Sequence, residues 1–252
     1  RQKQFAMGEA TEELDAALAR LLGVTHVVLT PRGTAAITMS LMAAGIGPAD
    51  EVIVPDVTFI ALVNAVRYLG ARPVFMDCDR FYNIDVEKTV EFIKNETVSK
   101  NGWTVNKKTK KVIRAILPVH VFGNAADLSG LITLCRKRQI KMVEDATESL
   151  GTVYTRGDLA RQHTGTVGDL GCYSFNGNKI ISAGGGGMIV TGNREWADRA
   201  RYLTTQAKDD ELYYIHHEVG YNFRLNNIQA AMGVAQLKTL PERIRIKKNN
   251  HI

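Results

Sequence analysis

The chain has 252 residues, 45% hydrophobic and 23% charged, a balance that suits a globular protein with a sizeable core. Its formal charge is +6, and its three scattered cysteines, Cys78, Cys135 and Cys172, argue against a disulfide framework or a zinc cluster; no metal is expected, and a reducing cytoplasm fits best. No run approaches the roughly 18 apolar residues of a membrane span, no apolar leader opens the chain, and the basic runs 100–111 and 243–248 lack the interleaved aromatics of a nucleic-acid face, so neither a membrane nor a nucleic acid is an expected partner.

In chain order, helical and strand patterns alternate. "TEELDAALARLLG" (11–23) spaces its apolar residues as a helix does and stops on glycine. "THVVLT" reads as a strand, "GTAAITMSLMAAG" (33–45) as a helix of small residues, "DEVIVP" as a strand and "TFIALVNAVRYLG" as a helix. "RPVFMD" is a strand and "VEKTVEFI" a helix; residues 96–112, with Asn-Gly inside a polar β-branched stretch, read as a surface hairpin. Then come strand "VIRAILPVHV" (112–121), helix "ADLSGLITLCRKR", strand "IKMVEDA" (140–146), strands "LGCYSF" and "GGMIVTG", and helices "REWADRARYLTTQ" and "NNIQAAMGVAQL" (226–237). Continuous Val/Ile/Leu strands separated by helices imply an α/β fold whose mostly parallel central sheet carries helices on both faces. The chain opens without Met and its basic tail stops abruptly, which is expected of a piece of a longer protein.

Ligands of such sheets collect beyond the carboxyl ends of the strands. Five strands bring chemistry there: Gly33 and Thr34 at a helix start, Phe59, His120, Asp145 with Glu148 three residues on, and Ser174 followed by Lys179. Each has an ordinary explanation alone: a helix cap, a core aromatic, a satisfied interior histidine, a solvated glutamate, a surface lysine. A carboxylate ending an apolar strand tells more, because burial requires a partner for it. Together they suit one cofactor. Pyridoxal 5′-phosphate needs a lysine for its aldehyde, an acid for its ring nitrogen and an anchor for its phosphate.

The motifs "GTAA", "VTF", "VHVFG", "VEDATESLG", "GCYSFNGNK" followed by "GGGGMIVT", and "VGYNFRLNNIQAAMG" resemble those of the DegT/DnrJ/EryC1/StrS family of pyridoxal-phosphate-dependent nucleotide-sugar aminotransferases, over essentially the whole chain. The resemblance implies an aspartate-aminotransferase-like large domain over residues 1–240 and the start of a small C-terminal domain over 241–252. It implies Lys179 as the Schiff-base lysine and Asp145 as the pyridinium partner. Gly33, Thr34 and Ser174 would hold the phosphate, Phe59 would stack on the ring, and Glu148 would sit beside the ring hydroxyl. His120 would contact substrate, and Asn222 would reach the phosphate of the neighbouring subunit of a homodimer with shared sites. Glu148, where many relatives carry Gln or His, resembles the branch acting on 4-keto-6-deoxy sugars of the perosamine, bacillosamine and legionaminic acid type, with L-glutamate as amino donor. Sugar dehydratases with this cofactor replace the lysine with histidine, so Lys179 argues against that alternative; a non-catalytic cofactor- or sugar-binding regulator is the other.

Two features stand apart. Arg32, where relatives usually carry a small or polar residue, either adds an anion contact or points outward. The four glycines 184–187 are costly for stability and are expected to let the chain pass close to the cofactor without side chains.

Overall fold

The computed structural model describes Phe5, residues 8–210 and residues 212–250. Helix α1 (Glu9–Leu22) ends on Gly23, whose φ of 66° is the left-handed geometry of a glycine stop. There follow β1 (His26–Thr30), α2 (Gly33–Ala43), β2 (Asp50–Pro55), α3 (Ile60–Tyr68), β3 (Arg72–Met76) and α4 (Val86–Asn95). Strands β4 (Thr97–Lys100) and β5 (Trp103–Asn106) form the hairpin expected from Asn-Gly: Asn101 and Gly102 both have positive φ, 52° and 81°. Next come β6 (Val112–Ile116), α5 (Ser129–Lys137), β7 (Lys141–Asp145), β8 (Leu170–Ser174), β9 (Gly187–Thr191), α6 (Arg194–Thr204), α7 (Asn227–Leu237) and α8 (Leu240–Asn249).

The sheet order is β1-β9-β8-β7-β6-β2-β3, with the hairpin attached through β5 to β6. The pairs β8/β7, β7/β6, β6/β2 and β2/β3 are parallel, and β9 runs antiparallel to both β1 and β8. Strands β1, β8, β7, β6 and β2 therefore end on one rim. Each strand divides its residues between the two faces with the period of two. Val28, Val52, Val54, Cys172 and Ile189 join α2, α3 and α6 in one core. Val27, Leu29, Tyr173, Met188 and Val190 face α1, α7 and α8 in a second, and Ile53, Ile113, Ile116 and Met142 face α4 and α5 in a third.

Helix α2 has almost no exposed side, as its uniform run of small and apolar residues requires. It lies inside the molecule, with its amino end at the strand rim. The strand expected over 112–121 is shorter: its regular pairing ends at Ile116, and after Pro118, which has no N–H to donate, only Val119 bridges to Asp145. The boundary expected at 240/241 falls in the first turn of α8, where Leu240 is buried and Ile244 packs against the second core.

Candidate active site

A cavity of about 520 Å³ opens at the carboxyl ends of β1, β2, β6, β7 and β8. Seven of the nine residues anticipated as site residues line it: Gly33, Thr34, Phe59, Asp145, Glu148, Ser174 and Lys179. Asp145 is the last residue of β7, and the pleat turns it to the α2 side of the sheet. Its Oδ1 accepts the amide of Thr147 at 3.0 Å. Burial pushes its carboxyl up from the ordinary value, against the opposing pull of Thr147, Lys179 and His120.

Lys179 follows β8, and its side chain is 16% exposed. Its Nζ lies 3.3 Å from Glu148 Oε1, while Glu148 Oε2 accepts the amide of Phe122 at 3.0 Å. One carboxylate thus orients both the amine and a loop residue. Phe122 has φ 53°, a left-handed geometry costly for an aromatic residue, and is 78% exposed at the cavity wall. Phe59 is 79% exposed, too open for a core aromatic, and offers a free ring face.

The floor is built by close approach of backbones. A Cβ on Gly33 would stand 2.9 Å from the Ser174 Cβ, so only glycine lets the α2 amino end meet Ser174. Arg32, which precedes it, gives no side-chain cap to α2, leaving the first turn to be satisfied from the cavity side. The glycine run does something different from what the sequence suggests. None of its residues lines the cavity. Gly187 pairs with Thr30 on one side and Ser174 on the other, and a Cβ there would lie 2.8 Å from the Gly33 nitrogen and 2.7 Å from the Tyr173 oxygen. The run packs behind the floor and sets its height.

Two anticipated residues are elsewhere. His120 is fully buried: Nδ1 accepts the Ala126 amide at 3.1 Å, which leaves Nε2 to donate to Glu144 Oε2 at 2.9 Å. Both ring nitrogens are spent within the protein, which corrects the expectation of substrate contact. Asn222 is exposed beside a neighbouring cavity of about 410 Å³ that shares Arg32 and Thr34 with the first. Arg32 is exposed, makes no ion pair among the described residues and borders both cavities.

The sequence reading passed over Thr147, whose position two residues after Asp145 is the spacing of an Asx-type bond. It also passed over Glu144, a buried carboxylate on the opposite face that accepts the amides of Gly165, Val167 and Gly168 at 2.6–2.8 Å and fixes the 151–169 segment behind the rim.

The residues fit pyridoxal 5′-phosphate. A buried carboxyl that lines the cavity and has no ion-pair partner among the described residues suits a cationic ring nitrogen, an uncapped helix start beside a serine suits a phosphate, and the lysine amine is within the same cavity.

Among solved structures, a DegT DnrJ EryC1 StrS aminotransferase from Brucella abortus matches with TM-score 0.84 and 32% identity over 94% of this chain and 60% of that one. NtdA from Bacillus subtilis, solved with bound cofactor PMP, matches with TM-score 0.77 and 27% identity over 94% of this chain and 49% of that one. The GDP-perosamine synthase of Caulobacter vibrioides is 38% identical over 244 residues, which are 96% of this chain and 60% of that protein. The chain thus spans about three fifths of the length of such curated relatives. The profile of the DegT/DnrJ/EryC1/StrS aminotransferase family matches residues 1–251, and with the fold and the cavity in agreement the chain belongs to that family, whose cofactor is pyridoxal 5′-phosphate.

Proposed function

We propose that the protein is an aminotransferase that moves an amino group from L-glutamate to the keto carbon of a UDP- or GDP-linked 4-keto-6-deoxy sugar, in the making of a polysaccharide or glycan precursor. The observation that carries this reading is the convergence of Lys179, Asp145, Ser174 and the Gly33–Thr34 helix start in one cavity. The likeness to a GDP-perosamine synthase supports the sugar class.

When bound, the cofactor supplies an electron sink and the carbon that carries nitrogen between the two substrates. The residues around it have separate tasks. Lys179 Nζ would hold the cofactor at its aldehyde carbon and, once the donor's amine has taken its place there, would be free to take the proton from the donor's Cα. Glu148, 3.3 Å away, orients that amine. The Asp145 carboxylate keeps a proton on the ring nitrogen, which burial makes a strong interaction. Gly33, Thr34 and Ser174 hold the phosphate, and Phe59 covers the ring. Residues 1–240 form the cofactor-binding large domain and 241–252 lead into a small C-terminal domain. Asn222 completes the phosphate site of the second subunit of a homodimer.

The test is incubation of full-length protein with cofactor, glutamate and UDP- or GDP-linked 4-keto sugars, read by mass spectrometry. An amino sugar with one of them is the expected result; no product with any, from protein that holds the cofactor, would sink the substrate assignment.

A further inference from the structure

The turn 121–124 follows β6 at the cavity wall, and its backbone is tied down from several sides. The amide of Val121 donates to Oδ1 of the buried Asn83 at 3.0 Å, and that of Phe122 to Glu148 Oε2 at 3.0 Å. The Gly123 carbonyl accepts the Thr152 hydroxyl at 2.9 Å. These bonds hold Phe122 at φ 53° and ψ 20°, and among the residues that line the cavity it alone has a positive φ. Such a geometry is costly for an aromatic residue and persists only where the surroundings over-determine it. The cost is not offset by packing. Phe122 stays 78% exposed, and its ring stacks on no other ring and meets no cation among the described residues. Folding thus fixes the backbone firmly and leaves the ring unused.

We propose that the Phe122 ring is a specificity-determining contact for the amino acceptor, packing on the apolar C–H and methyl surface of a 6-deoxy sugar. This rests on the aminotransferase reading given above. The carboxylate that fixes the Phe122 amide also reaches Lys179 Nζ at 3.3 Å, so the ring belongs to the part of the cavity where the amine reacts. Both substrates must come to that amine. An aromatic face carries the negative side of the ring quadrupole, which suits an uncharged apolar surface and disfavours carboxylates. A 6-deoxyhexose offers such a surface, and glutamate with its two carboxylates does not. The ring therefore separates two substrates that share one lysine.

The two half-reactions of full-length protein, one with glutamate and one with a UDP- or GDP-linked 4-keto-6-deoxyhexose, can be followed separately by cofactor absorbance. Phe122→Ala is expected to weaken the sugar half-reaction about tenfold more than the glutamate one, as loss of a partly buried ring contact would. Phe122→Tyr keeps the ring and should leave the ratio of the two as in wild type. Phe122→Gly also lacks the ring but relaxes the turn, so its cofactor-free form should melt about 2–4 °C above that of Phe122→Ala. It should nonetheless show the same sugar-specific loss. Equal losses in both half-reactions, or a loss that disappears in Phe122→Gly, would overturn the proposal, because the residue would then shape the turn around Glu148 and not meet the sugar. Equal melting of the alanine and glycine forms would overturn it too, since the turn would not be held in the costly geometry. A wild type that reacts with glutamate but with none of the sugars would instead defeat the substrate reading, and this contact with it.

Discussion

The Asp145 carboxyl is held above its ordinary pKa by burial, with Thr147, Lys179 and His120 only partly offsetting that effect. For an acid whose folded pKa is raised, the folded state binds more protons than the unfolded one. Stability is therefore lost as pH rises from the unfolded pKa through the folded one. Asp145→Asn removes the titration while keeping an oxygen for the Thr147 amide. Cofactor-free Asp145→Asn should consequently melt higher than wild type, by a margin that widens as pH rises above the ordinary carboxyl value and levels once pH has passed the raised one. With cofactor the order reverses: the ring nitrogen loses its anionic partner, and transamination should fall by orders of magnitude. Near-normal turnover of the variant would make Asp145 structural. Lys179 is the one lysine among the cavity's lining residues. Lys179→Ala should abolish transamination, and borohydride treatment of wild type should fix the cofactor covalently on the peptide that carries Lys179. A label on any other lysine would remove the assignment.

Strand β9 and helix α2 meet at Gly187, where Thr30, Ser174 and the Arg32–Gly33 backbone converge. A methyl group there has only backbone atoms to push, and backbone in a paired strand yields less than the end of a side chain. Gly187→Ala should cost about 1–3 kcal/mol of stability and weaken cofactor binding by shifting the α2 start away from Ser174. Gly184 makes a contrasting control, since a Cβ there meets nothing within 4 Å and only its φ of 72° resists alanine. Gly184→Ala should cost about 1 kcal/mol and leave cofactor affinity unchanged. Chemical denaturation with a cofactor titration checks both, and equal affinity losses would show that the run matters only for folding.

Leu212, Tyr213, Tyr214 and Val219 are each about 70% exposed or more in the segment that leads to Asn222, a concentration of apolar surface that favours burial against another chain. The proposed homodimer would use it. A two-fold interface repeats each contact, so an Asn222 that serves the neighbouring site does so twice. Mixing Lys179→Ala and Asn222→Ala chains should then create one site with both residues intact and restore part of the activity missing from either parent. The experiment needs an impaired Asn222→Ala parent and subunits shown to exchange. No recovery in such heterodimers would place the action of Asn222 within its own subunit.

Much of this was legible from the sequence, because local pattern and short motifs carry it. Unbroken Val/Ile/Leu strands between helices announced a mostly parallel sheet, Asn101-Gly102 announced its hairpin, and the strand-end positions of Asp145 and Ser174 followed from where those runs stop. Strand ends on one rim are enough to gather such residues, which is why seven anticipated site residues line one cavity. Tertiary structure decided what depends on facing neighbours. Asp145 ends β7 and His120 follows β6 on the same rim, but Glu144 and the Ala126 amide claim both nitrogens of the histidine ring. The glycine run could be seen as a close approach, yet what it approaches, the Arg32–Gly33 backbone behind the cavity, is fixed by β9 pairing between β1 and β8.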